Sequence, residues 1–273
     1  MLTYKLLALD MDGTLLNSNK RISPRTRLAI RDAATRGVGI ALSTGRAINE
    51  LTDYREDLAG CVRYASLLSG GQVYDLELEQ TIFARAFDTT MALAIAQHGI
   101  AVGAMVHVLT TKTTVASPRD IARMDKVGMG IYQSMFQKLC TQVEDVPAYI
   151  RSHPNEVCKI NLYHTSQDAR QETYDRLRHL DAQLTFAEQT SVEFTPTGVT
   201  KALGLQHLCD HLGCSLAECV AVGDAPNDLD ALRAAGLAVA MGNATPDVRQ
   251  VADCIVADND HDGIAEVIGR YFA

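Results

Sequence analysis

Three short apolar runs, far apart in the chain, each end in polar residues. LLALD ends at Asp10, GIALST ends at Thr44, and CVAVGD ends at Asp224. Short apolar runs bounded by turn residues are typical of strands that are buried on both faces, as in a parallel sheet. Helical patterns alternate with these runs, and such alternation predicts a parallel sheet with right-handed crossovers. We therefore expect the outer parts of the chain to form a doubly wound, Rossmann-like α/β core.

The middle of the chain has a different pattern. AMVHVLTTKTTVAS alternates as antiparallel strands do, and the polar helix SQDARQETYDRLRHL lies between further strand segments. This pattern favours a second, smaller α/β layer whose sheet is covered on one face. We predict a core domain built from residues 1–83 and 191–273, with an α/β cap domain inserted at 84–190.

Capping residues and chain breakers indicate where individual helices begin and end. They predict helices over 24–36 and about 47–57, and a helix that Asp88 caps and that ends before Gly99.

Composition excludes several classes of function. The chain has 273 residues, 47% of them hydrophobic, and a net charge of −8 without a basic run, so neither nucleic acid nor a membrane surface is an expected partner. The seven cysteines form no CxxC pair, which is typical of reduced thiols in a cytoplasmic protein. The start of the sequence, MLTYKLLALD, lacks the shape of a signal peptide, and no apolar stretch is long enough to span a bilayer.

The polar residues that end the apolar runs should meet at one edge of the sheet, where open α/β sheets bind ligands. Asp10 and Asp12 would share a side of an extended segment, and two like charges in one space push their pKa values apart. One would then be a nucleophile or metal ligand and the other a general acid/base. From this pattern alone, two exposed acids in a turn remain the alternative. The other residues expected at this edge are Thr44, Gly45, Asp224, Asn227 and Asp228.

Clustered carboxylates need a cation. Oxygen ligands with few protein carboxylates suit Mg²⁺, which keeps several waters and bridges to phosphate. Lys201 stands near the start of a helix predicted to begin around Gly198, where its ammonium and the free N–H groups favour an anion. Carboxylates, magnesium, a lysine and a hydroxyl together indicate a phosphoryl-transfer site.

Four motifs carry a resemblance to a known family. DMDGTLLNS, STGR, GVTKALGL and GDAPNDLDAL resemble, in order and spacing, the motifs of haloacid dehalogenase superfamily phosphatases. The tail AVAMGNATPDVRQVADCIVADNDHDGIAEVI is similar to the Cof-like branch, which has an inserted α/β cap of type IIB. The resemblance implies a magnesium-dependent phosphatase that acts on a small phosphomonoester such as a sugar phosphate, with a cap that closes over the site and selects the leaving group.

The resemblance also implies a role for each matching residue. Asp10 would attack phosphorus and form an aspartyl-phosphate, and Asp12 would protonate the leaving alcohol and then activate water. Asp10, the backbone carbonyl of Asp12, and Asp224 would bind Mg²⁺, while Asp228 would orient a metal-bound water or Lys201. The residues implied to bind phosphate are Met11, Thr44, Gly45, Lys201 and Asn227.

Two other functions remain open at this stage. A phosphomutase or phosphotransferase would pass the phosphoryl group to a second sugar instead of water. A non-catalytic sensor of a phosphorylated ligand would more often lack the acid at Asp12. In each case the partner is a small phosphorylated metabolite, and the sequence leaves open a monomer or a weak dimer.

Some residues admit both a functional and a structural interpretation. Arg46 could contact phosphate or form a structural ion pair. A helix carries potential zinc ligands, although its leucines favour a packing role; these ligands are His207, Cys209, His211 and Cys214. The charged or polar residues of the predicted cap that could contact substrate are His107, Lys112, Arg119 and Lys126.

Overall fold

The structure is a computed structural model that describes residues 4–186 and 188–272. Its internal contacts divide the chain into two compact units. Unit 1 contains Met1–Gly45, Asp53–Phe83 and Thr200–Ala273, and unit 2 contains Arg46–Thr52 and Ala84–Val199. The domain division at residues 84–190 stays a prediction.

Unit 1 is built on a sheet that has eight strands in the described residues, in the order β14-β13-β12-β1-β2-β3-β4-β5. The pairs from β14 to β3 are parallel, and β4 pairs with β3 antiparallel. The predicted α/β fold with a parallel core sheet is confirmed. The strands are β1 (Leu6–Leu9), β2 (Gly39–Ser43), β3 (Tyr64–Leu67), β4 (Gln72–Asp75), β5 (Gln80–Ala84), β12 (Cys219–Gly223), β13 (Leu237–Ala240) and β14 (Cys254–Ile255).

The helices of unit 1 begin and end at the expected kinds of residue. Ser23 caps α1 by accepting a hydrogen bond from the Thr26 N–H, and Pro24 occupies the first turn. Gly213 ends α8 in the left-handed conformation. The helices are α1 (Pro24–Thr35), α2 (Arg55–Leu58), α8 (Lys201–Leu212), α9 (Leu229–Ala234), α10 (Pro246–Val251) and α11 (Gly263–Tyr271).

The helix predicted over 47–57 is not a single α-helix. A 3₁₀ segment, Ile48–Tyr54, precedes the single turn of α2. Within unit 2, the Asn49 side-chain amide donates to the Leu139 carbonyl at 3.0 Å and to the Thr114 hydroxyl at 3.3 Å. These tertiary hydrogen bonds fix the segment in a conformation that local propensity does not encode.

Unit 2 contains a second sheet, which has six strands in the described residues, in the order β10-β11-β9-β6-β7-β8. Its pairs are antiparallel, except that β7 and β8 are parallel. The elements of unit 2 are α3 (Thr89–Ala101), β6 (Met105–Thr110), β7 (Thr114–Ala116), α4 (Pro118–Ile121), α5 (Gln133–Leu139), β8 (Thr141–Gln142), α6 (Val146–Ser152), β9 (Val157–Tyr163), α7 (Gln167–Leu177), β10 (Ala182–Thr185) and β11 (Ser191–Pro196).

Helix α3 continues past Gly99, where the sequence predicted its end. A Cβ atom at this position would lie 2.5 Å from Cδ2 of Leu162 and 2.9 Å from Cγ2 of Val106. Glycine is therefore required for close packing of α3 on the sheet, and the helix ends instead at its cap, Val102.

The two faces of the unit 2 sheet differ in chemistry. One face is apolar and packs against α3 and α6, through residues that include Val106, Val108, Ile160, Leu162, Val192 and Phe194. The opposite face carries the alternate residues, whose buried polar side chains include His107, Lys159, Asn161 and Glu193. Buried polar side chains on this face destabilise the fold unless each has a hydrogen-bond or ionic partner.

The burial of His107 in its neutral form should make the protein less stable in acid. Burial, with a smaller contribution from Lys159, lowers the pKa of His107 from 6.5 to about 3. Between these values the unfolded chain binds a proton that the folded chain does not, so the free energy of unfolding falls as pH falls below 6.5 and is undiminished above it. We expect His107 to lower the free energy of unfolding by up to about 1.4 kcal/mol for each pH unit below 6.5. Urea unfolding of the chain and of a His107→Leu variant at several pH values measures this as the difference between their two pH slopes. Equal pH slopes for the two proteins would contradict this assignment.

No helix in the ranges that the structure describes combines the length and apolar character needed to cross a membrane. All seven cysteines are free thiols.

Candidate active site

Asp10 lies directly beyond the end of β1 and is held by backbone contacts on both sides. Its N–H donates to the Val222 carbonyl at 3.1 Å, and its carbonyl accepts from the Leu15 N–H at 3.2 Å. Because β1 ends at Leu9, the alternation expected to place Asp10 and Asp12 on one side does not continue to Asp12. The Asp12 carboxylate instead accepts a hydrogen bond from Lys20 Nζ at 2.9 Å, and both side chains are 29% exposed.

Lys201 joins two buried carboxylates. Its Nζ lies 2.6 Å from Oδ1 of Asp10 and 2.6 Å from Oδ1 of Asp228. Burial disfavours the charged form of Lys201, but the two carboxylates raise its pKa above the usual value, so that it is protonated at neutral pH. Burial raises the pKa of Asp10 well above its usual range, and the Lys201 charge opposes that shift. The two ion pairs thus hold the Lys201 ammonium group at the start of α8, where the sequence predicted that an anion would bind.

Asp228 is fixed by the turn that follows β12. Its Oδ2 accepts hydrogen bonds from the backbone N–H groups of Asp224 at 3.0 Å and Ala225 at 3.1 Å. Since Lys201 already contacts Oδ1, both oxygens of this carboxylate have protein donors. This arrangement suits a residue that orients its neighbours.

Asp224 is positioned by the loop after β1. The Thr14 hydroxyl donates to its Oδ1 at 2.7 Å. Gly13 has a φ of +84°, and a Cβ there would lie 2.3 Å from Oδ2 of Asp224, so only glycine fits. Burial and the nearby Asp228 charge raise the pKa of Asp224 to about 7. Sequence reasoning did not single out Thr14, although its place in the DMDGT run was a signal.

The carboxylates are close enough to share a cation. One oxygen each from Asp10, Asp224 and Asp228 lie within 4.8 Å of one another, the only such group of potential ligands among the described residues. Lys201 balances one of three formal negative charges, and a divalent cation would balance the other two. Oδ1 of Asn227 is also buried without a hydrogen-bond partner in the described chain, which leaves a further oxygen acceptor beside Asp228. The donor set therefore fits a hard divalent cation.

The end of β2 brings Thr44 to the same edge of the sheet as Asp10, because β2 pairs with β1 in parallel. The Thr44 N–H donates to the Ser66 carbonyl at 2.8 Å, and the Thr44 carbonyl accepts from the Ser69 N–H at 3.0 Å. Gly45 follows and is partly exposed, whereas the side chain of Met11 is fully buried.

Gly70 allows α8 to begin close to this edge. A Cβ on Gly70 would lie 1.9 Å from the Thr200 carbonyl oxygen. Thr200 caps α8 by accepting from the Leu203 N–H, and Lys201 is the first residue of that helix. The close approach thus places the lysine, which no local pattern could position relative to Asp10.

The residues proposed as possible zinc ligands pack within unit 1. The His207 ring stacks on Phe83 with centroids 3.7 Å apart, and His211 meets Tyr64 edge-on at 5.7 Å. Cys209 is buried in the hydrophobic core, and Cys214 packs against that core. These contacts favour the packing interpretation.

Arg46 belongs to unit 2 and has protein partners there. Its Nη1 donates to the Glu50 carbonyl at 3.4 Å, and its guanidinium carbon lies 5.9 Å from the centre of the Tyr132 ring. These contacts favour a structural role for this arginine.

Comparison with known proteins identifies the family. A family model described as haloacid dehalogenase-like hydrolase matches residues 7–268. The chain belongs to the haloacid dehalogenase-like hydrolases. The family predicted from the four motifs is confirmed.

The relatives of this haloacid dehalogenase-like hydrolase include named phosphatases. A 5-amino-6-(5-phospho-D-ribitylamino)uracil phosphatase, YcsE of Bacillus subtilis (strain 168), is 29% identical over 98% of this chain and 95% of its own. An HMP-PP phosphatase of Cronobacter sakazakii (strain ATCC BAA-894) is 29% identical over 89% of this chain and 85% of its own. The chain is accordingly an enzyme of the phosphatase type, as the sequence predicted.

Solved structures share the whole fold. A haloacid dehalogenase-like hydrolase from Bacteroides thetaiotaomicron is 26% identical with a TM-score of 0.83, covering 98% of this chain and 100% of that chain. The subclass IIB sugar phosphatase BT4131 also has a TM-score of 0.83, at 23% identity, covering 98% of each chain. The second likeness concerns the fold alone.

Proposed function

We propose that this enzyme hydrolyses the phosphomonoester of a small metabolite, with sugar phosphates as the main class, through an aspartyl-phosphate on Asp10 and with Mg²⁺ as its cation. The observation that carries the proposal is the buried cluster in which Lys201 joins Asp10 to Asp228, with an Asp224 oxygen close by. A lysine beside clustered carboxylate oxygens is typical of sites for metal-assisted phosphoryl transfer. The named activities of the relatives support a small phosphorylated substrate.

Asp10 is suited to attack phosphorus. Its Oδ1 accepts the hydrogen bond from Lys201, which leaves Oδ2 as the attacking atom. As the new O–P bond forms, the bond from phosphorus to the leaving alcohol breaks, and Asp12 gives that oxygen a proton. Asp12 then takes a proton from the water that attacks phosphorus, and release of inorganic phosphate regenerates the Asp10 carboxylate. The partial exposure of Asp12 allows it to exchange protons with solvent.

The remaining residues hold the transferring group. Lys201, being protonated and fixed by two carboxylates, would neutralise charge on a phosphoryl oxygen. Thr44 and Gly45 would donate hydrogen bonds from the end of β2, and Asn227 from the turn after β12. Met11 would contribute through its backbone, because its side chain is buried.

Mg²⁺ would be held by the carboxylates of Asp10 and Asp224 and the backbone carbonyl of Asp12, and would supply Lewis-acid stabilisation of the phosphoryl oxygens. Asp228, whose oxygens have protein donors, would orient Lys201. The inserted cap and the cytoplasmic location stay predictions, and the free cysteines suit a reducing compartment.

A screen for phosphate release tests the proposed function. The panel should contain hexose and pentose phosphates, small phosphorylated acids, nucleotides and phosphorylated cofactors. We expect at least one ester to release phosphate with Mg²⁺, to lose that activity in EDTA, and to regain it when Mg²⁺ is restored. No release from any ester would contradict the proposal. Transfer of phosphate to an added sugar, at the expense of free phosphate, would instead favour the phosphotransferase.

A further inference from the structure

A row of polar side chains crosses three neighbouring strands of unit 2. The register pairs His107 on β6 with Asn161 on β9, and Asn161 with Glu193 on β11. Residues paired in register project from the same face of a sheet, so these three side chains lie next to one another. Lys159 stands two residues before Asn161 on β9 and shares that face.

These side chains are buried, with exposures of 1–7%, but only some of their polar atoms are satisfied. Lys159 Nζ lies 2.7 Å from Oε1 of Glu193, and the Asn161 amide donates to the Tyr163 hydroxyl at 3.0 Å. In contrast, both ring nitrogens of His107 and Oδ1 of Asn161 have no hydrogen-bond partner among the described residues. Three unsatisfied atoms on two adjacent residues thus remain at one place.

Stability alone does not account for this arrangement. Each buried polar atom without a partner destabilises the folded state, whereas apolar side chains of similar volume would avoid that loss. The Phe136 ring, 4.5 Å from the His107 ring, already provides an apolar neighbour against which such a side chain could pack. Sites that retain unsatisfied polar groups call for a partner beyond the chain's own atoms.

The free atoms specify the chemistry of that partner. His107 is neutral at physiological pH, because burial and Lys159 lower its pKa to about 3, and a neutral imidazole offers one donor and one acceptor. Asn161 adds an acceptor through Oδ1. The ion pair of Lys159 with Glu193 has no net charge, so an anionic group would gain little at this place. Hydroxyl groups, which donate and accept at once, match this set.

We propose that His107 and Asn161 form a binding site within unit 2 for an uncharged, hydroxyl-rich group such as a polyol or a sugar. The site lies entirely in unit 2, whereas the proposed phosphate site lies in unit 1. Binding of an unphosphorylated polyol therefore does not depend on phosphatase activity, and either proposal can fail alone.

The layer over this face is built from short elements and flexible side chains. It is made of short elements, including α4, α5 and two 3₁₀ turns, around a cluster that contains Met105, Met124 and Met129. Methionine side chains are unbranched and repack at small cost. Short helices with few internal hydrogen bonds also open locally more readily than long ones.

Binding of unphosphorylated ligands to the full-length protein tests the site. The ligands are glycerol, erythritol, ribitol, sorbitol and the aldoses of matching length, and the method is saturation-transfer NMR followed by calorimetric titration. We expect at least one to bind saturably, and expect His107→Leu and Asn161→Leu each to weaken that binding by about tenfold or more. If His107→Leu does not fold, His107→Gln replaces it.

His98→Leu is the matched control. It makes the same chemical change in unit 2 at another buried unpartnered nitrogen, but on α3, which packs against the opposite face of the sheet. We expect His98→Leu to keep the affinity of the unaltered chain. No saturable binding by any ligand would overturn the proposal, as would binding that neither His107→Leu nor Asn161→Leu weakens. If neither variant weakened binding, the ligand would bind elsewhere, and buried water would be the partner of the unpaired atoms of His107 and Asn161.

Discussion

Asp10→Asn should abolish phosphate release while the chain remains folded. Asparagine keeps the shape of the side chain but cannot attack phosphorus, so we expect the turnover of an aryl phosphate with Mg²⁺ to fall by about 10⁴-fold or more. The free energy of unfolding should change by less than about 2 kcal/mol, because a neutral amide avoids the burial of a charge and Lys201 keeps its contact with Asp228. Steady-state kinetics and thermal unfolding of the purified variant measure the two effects.

Two companion variants assign the loss to the nucleophile. Asp12→Asn should still react with an aryl phosphate, whose leaving group needs little protonation, but should hydrolyse the aspartyl-phosphate slowly and so accumulate phosphorylated enzyme. Asp230→Asn removes one negative charge from an exposed position on α9 and should leave turnover unchanged. If Asp10→Asn retained full turnover, or became phosphorylated as Asp12→Asn does, the nucleophile would lie elsewhere.

Lys201→Met should destabilise the folded state and remove activity together. The change leaves Asp10 and Asp228 buried without their common cation, and breaking a buried ion pair in this way typically costs about 3–5 kcal/mol. We expect the loss to be largest near neutral pH and to shrink in acid, because burial raises the pKa of Asp10 and its protonation removes one of the unpaired charges. Urea unfolding at several pH values, in metal-free buffer, measures this.

A double variant and a second lysine separate the buried pair from a general effect of charge. Lys201→Met combined with Asp228→Asn should recover part of the lost stability, because one of the two unpaired carboxylates is gone. Lys20→Met also breaks a contact with an aspartate, Asp12, but both partners are partly exposed, so we expect less than about 1 kcal/mol of change. Equal destabilisation by Lys201→Met and Lys20→Met would show that burial of the Lys201 pairs has no energetic consequence.

Prediction from sequence succeeded where short-range order is enough. The residues of LLAL and CVAVG form parallel neighbours, β1 and β12, because apolar runs of that length are stable only when both faces are covered. Ser23 and Pro24 start α1 as expected, because capping is decided within one turn. The motif residues near Asp10 and Asp224 identified the family, since their order and spacing are properties of the chain itself.

Prediction failed where the conformation of a segment depends on residues that are distant in the sequence. Helix-ending signals predicted that the helix stops before Gly99. In the structure Gly99 lies inside α3, where its lack of a side chain allows Leu162 and Val106 to pack closely against the helix. The segment after Ala47 has helical composition, but the hydrogen bonds of Asn49 to Thr114 and Leu139 hold it as a 3₁₀ turn. No window of sequence contains both members of such contacts.

The sequence alone therefore determined the α/β class, the family and the set of residues that end the strands. The tertiary structure decided how those residues are paired: Lys201 with Asp10 and Asp228, Thr14 with Asp224, and Lys20 with Asp12. Strand and helix signals act over a few residues and can be read in order along the chain. The pKa values of Asp10 and Asp224 and the unsatisfied atoms of His107 and Asn161 arise from burial, which exists only once distant segments pack together.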